Sequence, residues 1–362
     1  MAPLVLTLLR RETITDILLL TTKQRYPSLY STSLCAKRNL NPTPPDETIV
    51  PMVTKSRLSK LLCAGSYLIT DFDGTCTVTD TTPLVPHLAA RASTNPSAVL
   101  SRFRELEDLY MSMLGRCKAD FMVESSSSPA TFDAAGLEKA LASMDAVSDA
   151  VTEQLSTSGI LAGIEADSVA GVLDEWLAAP EPPIQPPALR DGCAAALAAA
   201  AADGWQLGVL TLNWCPPVVH SYLPVLTRTG ASVWSNRIDG CGGVSAEVNG
   251  AAAKQQIIAQ LVREARAAGG ESAGVVYVGD SATDLLAMLE ADLGILIGES
   301  ETTRRIARQF GLRIEALPTA ASAIGDAGAD RKGVIWEAAS WADICRCLEL
   351  KSGVGSEQAA TR

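Results

Sequence analysis

What this chain lacks narrows its chemistry before any motif is read. Histidine is scarce: 2 in 362 residues, His87 and His220, too few for a histidine-rich metal centre. Both are expected to be structural. The 9 cysteines are odd in number and scattered, with no Cys-x-x-Cys pair and one isolated Cys-x-Cys, Cys345 and Cys347. That pattern speaks against a disulfide framework or a zinc site and suits reduced thiols inside a cell. Basic charge is also short. The formal net charge is −11, and no basic stripe offsets repulsion from phosphates, so nucleic acid is not an expected partner. No uncharged apolar run is long enough to span a bilayer, so neither is a membrane. Aromatic residues make up 5% against 47% apolar, which leaves Ala, Val and Leu to pack the core.

Residues 1–51 differ from the rest. Arg10, Arg11, Lys23, Arg25, Lys37 and Arg38 stand there among many Ser and Thr. The composition suits a disordered or targeting extension, with Glu12 and Asp16 against a transit peptide and Met52 as another natural start. Cytoplasmic location is the expectation, and a mitochondrial one the alternative.

The apolar run Tyr67–Thr70 reads as a short strand that leads into Asp71-Phe-Asp73-Gly74-Thr75. Beyond Thr82 the period becomes helical over Leu84–Leu114, Phe132–Leu161 and Ser168–Leu177, with Ser125–Pro129 as a loop. Pro180–Pro187 cannot be helix or interior strand and reads as a stiff connector. Strand and helix then alternate. Helices are expected at Arg190–Asp203, Pro217–Thr229, Ala251–Ala268, Ser281–Ala291 and Ser340–Leu350. Strands are expected at Trp205–Thr211, Ala231–Asn236, Gly274–Val278 and Gly294–Ile297. This order predicts an α/β fold, a doubly wound parallel Rossmann-like sheet with a helical cap inserted after the first strand. The core would comprise residues 66–82 and 185–350, the cap 83–184, and a tail 351–362. Thr81–Pro83 and Pro180–Pro187 would be the hinges.

Two carboxylates one residue apart at the C-terminal end of a strand sit where open parallel sheets place ligands. A metal-bound sugar-nucleotide site or a solvated acidic loop would fit the same residues. Three further signals follow in order: Thr211 after a strand, Lys254 near the start of a helix, and Gly279-Asp280-Ser-Ala-Thr-Asp284 after another strand. Each alone reads as a helix cap, a solvated lysine or a turn. Together they bring a hydroxyl, an ammonium and several carboxylates to one edge of the sheet. Phosphoryl transfer to a carboxylate needs such a set, because an anionic nucleophile is repelled by a phosphate dianion until cations screen the charge. In this reading Asp71 is the nucleophile and Asp73 the acid and base. Asp71 and Asp280 hold Mg2+ with help from the Asp73 carbonyl and from Asp284, and Thr211, Leu212 and Lys254 bind phosphate. Asn213, Trp214 and Asn236 are candidates to line the substrate.

These motifs resemble the four motifs of the haloacid dehalogenase-like superfamily, and the resemblance runs over residues 66–350. It implies a phosphatase with a helical cap in the first insertion position. An acid at Asp73 favours phosphomonoesters over C–halogen or C–P bonds. Thr75-Cys-Thr-Val-Thr-Asp80, Asn213-Trp214-Cys215, Ser235-Asn236 and Ser340-Trp341-Ala-Asp-Ile344 are similar to one branch, the phosphatase domain of plant thiamine monophosphate phosphatase and its stand-alone fungal and algal relatives. The expected function is Mg2+-dependent hydrolysis of a small phosphate ester, with thiamine monophosphate a candidate. A phosphotransferase and a non-catalytic metabolite binder are the rival readings. Oligomeric state is not legible in the sequence.

Overall fold

Short runs of Val, Ile, Leu and Tyr, buried from both sides, build the central sheet. A computed structural model describes residues 65–122, 131–269, 273–320 and 332–351. The expected extension 1–51, the Ser125–Pro129 loop and the tail beyond Lys351 lie outside the described residues. Seven strands form a parallel sheet in the order β3-β2-β1-β6-β7-β9-β8. They are β1 (Tyr67–Thr70), β2 (Gln206–Leu210), β3 (Ser232–Trp234), β6 (Val275–Gly279), β7 (Leu293–Ile297), β8 (Arg313–Ala316) and β9 (Val334–Ala338). A small antiparallel hairpin, β4 (Arg237–Ile238) and β5 (Val244–Ser245), stands apart. The expected α/β fold with a parallel, doubly wound sheet is the one observed.

Helices cover both faces. In chain order they are α1 (Leu84–Ala92), α2 (Pro96–Phe121), α3 (Ala134–Ser158), α4 (Ala166–Ala178), α5 (Cys193–Ala202), α6 (Pro216–Tyr222) and α7 (Pro224–Thr229). After them come α8 (Ala251–Gly269), α9 (Leu285–Glu290), α10 (Glu301–Gln309) and α11 (Trp341–Cys347). The alternation of side chains along β1 sorts the core: Leu68 packs with α5, α6, α7 and α11 on one face, and Ile69 with α8, α9 and α10 on the other.

Three departures from the sequence reading have local causes. The first cap helix is interrupted at 93–95, because Asn95 caps α2 through Ala98 N and Pro96 takes its first position. The helix expected over Pro217–Thr229 divides at Leu223, whose φ −123 and ψ 69 lie outside the helical region that a following proline disfavours. The hairpin, α10, β8 and β9 were not anticipated: β8 is a polar edge strand without an apolar run, and α10 is mostly polar.

The insert rejoins the core where it leaves it. Val78 N bonds Ala188 O and Arg190 N bonds Cys76 O, so the two crossings lie side by side. Pro180–Pro187 carries neither helix nor strand. The cap helices share their core with the sheet: Leu88, Leu106 and Leu173 join the α5 side, while Leu137, Leu141 and Met144 join the α8 side. Cap and core belong to one compact unit, Lys55–Arg362. A fully buried cap residue should therefore report on the whole fold. Leu141→Ala (0% exposed) is expected to cost about 2–5 kcal/mol in one cooperative denaturant transition followed by far-UV circular dichroism. A separate early transition for the cap would contradict the shared core.

Candidate active site

The register of three neighbouring strands assembles the site. Thr70 lies opposite Val209 of β2 and Val278 of β6, and Asp71 N continues the ladder to Val278 O at 2.8 Å. Asp71, Thr211 and Asp280 thus leave adjacent strand ends where the chain order reverses about β1, the usual ligand crevice of such sheets. Two glycines allow the close approach. Gly74 takes φ +75, and a Cβ there would meet Asp280 Oδ2 at 2.5 Å. A Cβ on Gly279 would lie 2.5 Å from Asp284 Cγ. The turn after β1 is further held by Arg190, whose guanidinium donates to Gly74 O at 2.6 Å, and by the buried indole of Trp341, which donates to Thr75 O at 3.1 Å.

A single ammonium lies at the centre. Lys254 Nζ, 1% exposed, sits 2.7 Å from Asp284 Oδ1 and 3.0 Å from Asp71 Oδ1. Asp284 is fully engaged by the protein. Tyr277 OH also reaches Oδ1 at 2.7 Å, and Oδ2 receives Asp280 N, Ser281 N and Ser281 Oγ at 2.8–3.2 Å. Burial works to raise the Asp284 carboxyl, but Lys254, Tyr277 and these amides outweigh it and hold it below the usual carboxylate range. The outcome at Asp71 is the opposite. Burial pushes its carboxyl well up, Lys254 pulls it back only in part, and Asp284 and Asp280 push further. Asp280 rises to about 7, through burial and then Asp284, although Thr75 Oγ1 donates to its Oδ1 at 2.8 Å.

One lysine thus faces more carboxylate charge than it can balance. Oxygens of Asp71, Asp280 and Asp284 lie within 4.8 Å of one another. Buried Asp71 Oδ1 has the Lys254 ammonium at 3.0 Å and no other donor. Hard oxygen donors and surplus negative charge suit a divalent cation such as Mg2+. Asp71 and Asp280 have the free valence. Asp284, expected among the metal's partners, has both oxygens occupied by protein donors.

Asp73 is held differently. Its Oδ1 accepts Thr81 N at 2.7 Å and Thr81 Oγ1 at 2.5 Å, and its Oδ2 accepts Asn213 Nδ2 at 2.9 Å. Burial and Asp80 raise it to about 6 against the pull of those bonds. Asn213, expected beside the substrate, is buried and gives its amide to Asp73 and Thr81 while its Oδ1 accepts Cys215 N. Asn236, expected there too, is a brace: it donates to Leu212 O and Val248 O and accepts Val248 N. Thr211 is buried at the end of β2, and its Oγ1 accepts Asn213 N at 3.2 Å. Trp214 packs edge-on against Phe103 of the cap, with ring centroids 6.4 Å apart. Cys76, behind the turn, is fully buried, and burial raises its thiol. Each cysteine among the described residues is free, and no described helix is long and apolar enough to cross a membrane. Sequence reasoning missed Tyr277, Thr81 and Arg190. The only signal for Tyr277 was a hydroxyl inside an otherwise aliphatic strand.

No family model matches the chain. Over 337 residues it is 23% identical to the bifunctional TH2 protein, mitochondrial, of Arabidopsis thaliana, a match that covers 82% of this chain and 50% of that protein. The chain thus spans about half the length of the curated relative it matches. Among solved structures it is similar to a phospho-aspartyl intermediate analogue of phosphoserine phosphatase. That match has 16% identity, a TM-score of 0.40, and covers 67% of this chain and 91% of the other. A HAD-family hydrolase of Salmonella enterica serovar Typhi gives 15% identity and a TM-score of 0.40, over 67% and 65%.

The raised carboxyls have a consequence for stability. Asp73 and Asp280, at about 6 and 7 in the fold against an ordinary 3.8, keep protons that the unfolded chain has already released. Their contribution is therefore full at low pH and lost as pH rises through those values. In EDTA, the melting temperature is expected to fall between about pH 5 and pH 8. Asp280→Asn should flatten that slope. A melting temperature that rises over this interval equally in both proteins would contradict the arrangement.

Proposed function

We propose that the chain is a phosphomonoester hydrolase of the haloacid dehalogenase-like kind, working through an aspartyl-phosphate at Asp71. The observation that carries this reading is the pair of differently held acids in one turn. Asp71 has an oxygen whose one donor neighbour is the Lys254 ammonium at 3.0 Å, and two residues on Asp73 is bonded through both oxygens and poised near 6. A nucleophile needs the first environment and a group that both gives and takes a proton needs the second. The four-motif resemblance, and the sequence similarity along most of the chain, support the same class.

In this mechanism Thr211, the Leu212 amide and Lys254 receive the phosphoryl oxygens. Asp71 attacks phosphorus and the ester oxygen departs with the proton of Asp73. Asp73, now ionised, takes a proton from water as that water attacks the aspartyl-phosphate. Asp71 and inorganic phosphate are released. Asp71 and Asp280, with the Asp73 carbonyl, would hold Mg2+, which when bound supplies charge screening for the phosphoryl group. Thr81, at the first crossing into the cap, and Asn213 keep Asp73 beside the leaving group. The cap helices exclude water from above. Thiamine monophosphate is the particular substrate to which the branch-level resemblance points. A cytoplasmic location is proposed, and the relative's mitochondrial designation favours the alternative.

The test is phosphate release from a panel that includes thiamine monophosphate, phosphoserine, sugar phosphates and nucleoside monophosphates, with Mg2+ or EDTA. Release should need Mg2+ and be lost in Asp71→Asn. Asp73→Asn should lower turnover by about 10²–10⁴-fold while ligand still binds. Phosphoryl transfer to an added alcohol in place of water would favour the phosphotransferase reading. Ligand binding without turnover would favour a binding protein.

A further inference from the structure

Helix α8 carries Lys254 in its first turn, yet the chain supplies no local cap for that helix. The residue before it is Gly250, which has no side chain, and the buried Oδ1 of Asn249 has no hydrogen-bond partner. The first amides are satisfied from elsewhere. Asp145, in the middle of cap helix α3, accepts Ala251 N on Oδ1 at 3.0 Å and Ala252 N on Oδ2 at 3.1 Å. One carboxylate therefore spans two of the free N–H groups at the positive end of α8. The fit leaves no room for a side chain between them: a Cβ on Gly250 would lie 1.9 Å from Asp145 Oδ1. Lys254 bonds through its own N to Gly250 O at 3.1 Å, inside the same turn. The charge of Lys254 also acts on Asp145.

We propose that Asp145 is a positioning residue that makes the placement of Lys254 depend on the seating of the cap. When α3 lies on α8, Asp145 completes the first turn, and that turn sets the lysine between Asp71 and Asp284. When α3 lifts, two amides lose their acceptor and the turn carrying Lys254 frays. The apolar stripe of α3, Leu137, Leu141 and Met144, joins Val248, Ala251 and Ile258 of the α8 side in one buried cluster. It holds the helix in place without touching the amides. A second tether on the same helix serves as a comparison: Ser156 Oγ accepts Val244 N of β5 at 2.9 Å, away from α8. The turnover arm of the test rests on the phosphatase reading, and the exchange arm does not.

The experiment compares Asp145→Ala, Asp145→Asn and Ser156→Ala in the full chain. Amide hydrogen exchange is read by mass spectrometry over the peptide that contains Val248–Ile258, with the β6 peptide as internal control. In Asp145→Ala, exchange at the start of α8 should rise about 10-fold or more while β6 is unchanged. Asp145→Asn, which keeps one acceptor oxygen and nearly the same shape, should recover part of the protection. Ser156→Ala should match the parent. With the substrate found active, kcat should fall about 10-fold or more in Asp145→Ala with KM little changed, and should recover in part in Asp145→Asn. Parent-like exchange in Asp145→Ala would overturn the proposal, as would equal effects of Asp145→Ala and Ser156→Ala. A parent chain that releases no phosphate from any ester would count against the phosphatase reading alone, since the exchange comparison still decides the role of Asp145.

Discussion

The ammonium of Lys254, shut away from water between Asp71 and Asp284, is the constraint around which the rest is arranged. A buried charge is tolerable only when paired and hydrogen-bonded. Each neighbour can be understood as meeting that demand. Tyr277 turns a hydroxyl out of an apolar strand to share Asp284 Oδ1 with the lysine. Ser281 closes Asp284 Oδ2 from its amide and its hydroxyl and so starts the next helical turn. Gly279 has no side chain because the carboxylate occupies that space. The lysine could not be replaced without rebuilding the ends of β1 and β6 and the first turn of α8.

Four aspartates within one crevice do not share one chemistry. Asp284 is held ionised by surrounding donors, and Asp73 is gripped at intermediate strength by Thr81 and Asn213. Asp71 has only the Lys254 ammonium beside its Oδ1, and Asp280 only the Thr75 hydroxyl on its Oδ1. The division follows from which donors each backbone position can reach. Asp71 and Asp280 thus carry the fewest protein donors, and with Asp284 they form the cluster of acids that could hold a cation.

Strand-end acids were legible in the sequence because strands announce themselves by short Val- and Ile-rich runs, and the residues that follow such runs in a parallel sheet converge. Asp71, Thr211 and Asp280 are of this kind, and Lys254 follows from the helix that brings it back. The parallel sheet and the insert were legible for the same reason. Residues whose role comes from a tertiary contact were not: Thr81 and Asp145 have nothing unusual in their local sequence, and their partners lie far along the chain. Asn213 and Asn236 stand past strand ends, where an amide can face a ligand or brace a turn, and sequence does not say which. β8, with Arg313 and Glu315 on an edge, lacks the apolar pattern by which interior strands are found.

The bond from the Trp341 indole to Thr75 O joins positions 266 residues apart. Ribosomal synthesis proceeds from the other end, so the aspartate-bearing turn emerges long before the helix that buttresses it. A nascent chain stopped short of that helix would already hold β1, β6 and the four aspartates, but not the tryptophan that buttresses the turn. Such distant closure slows folding, and it leaves the aspartate-bearing turn without its indole brace until the last described helix has emerged.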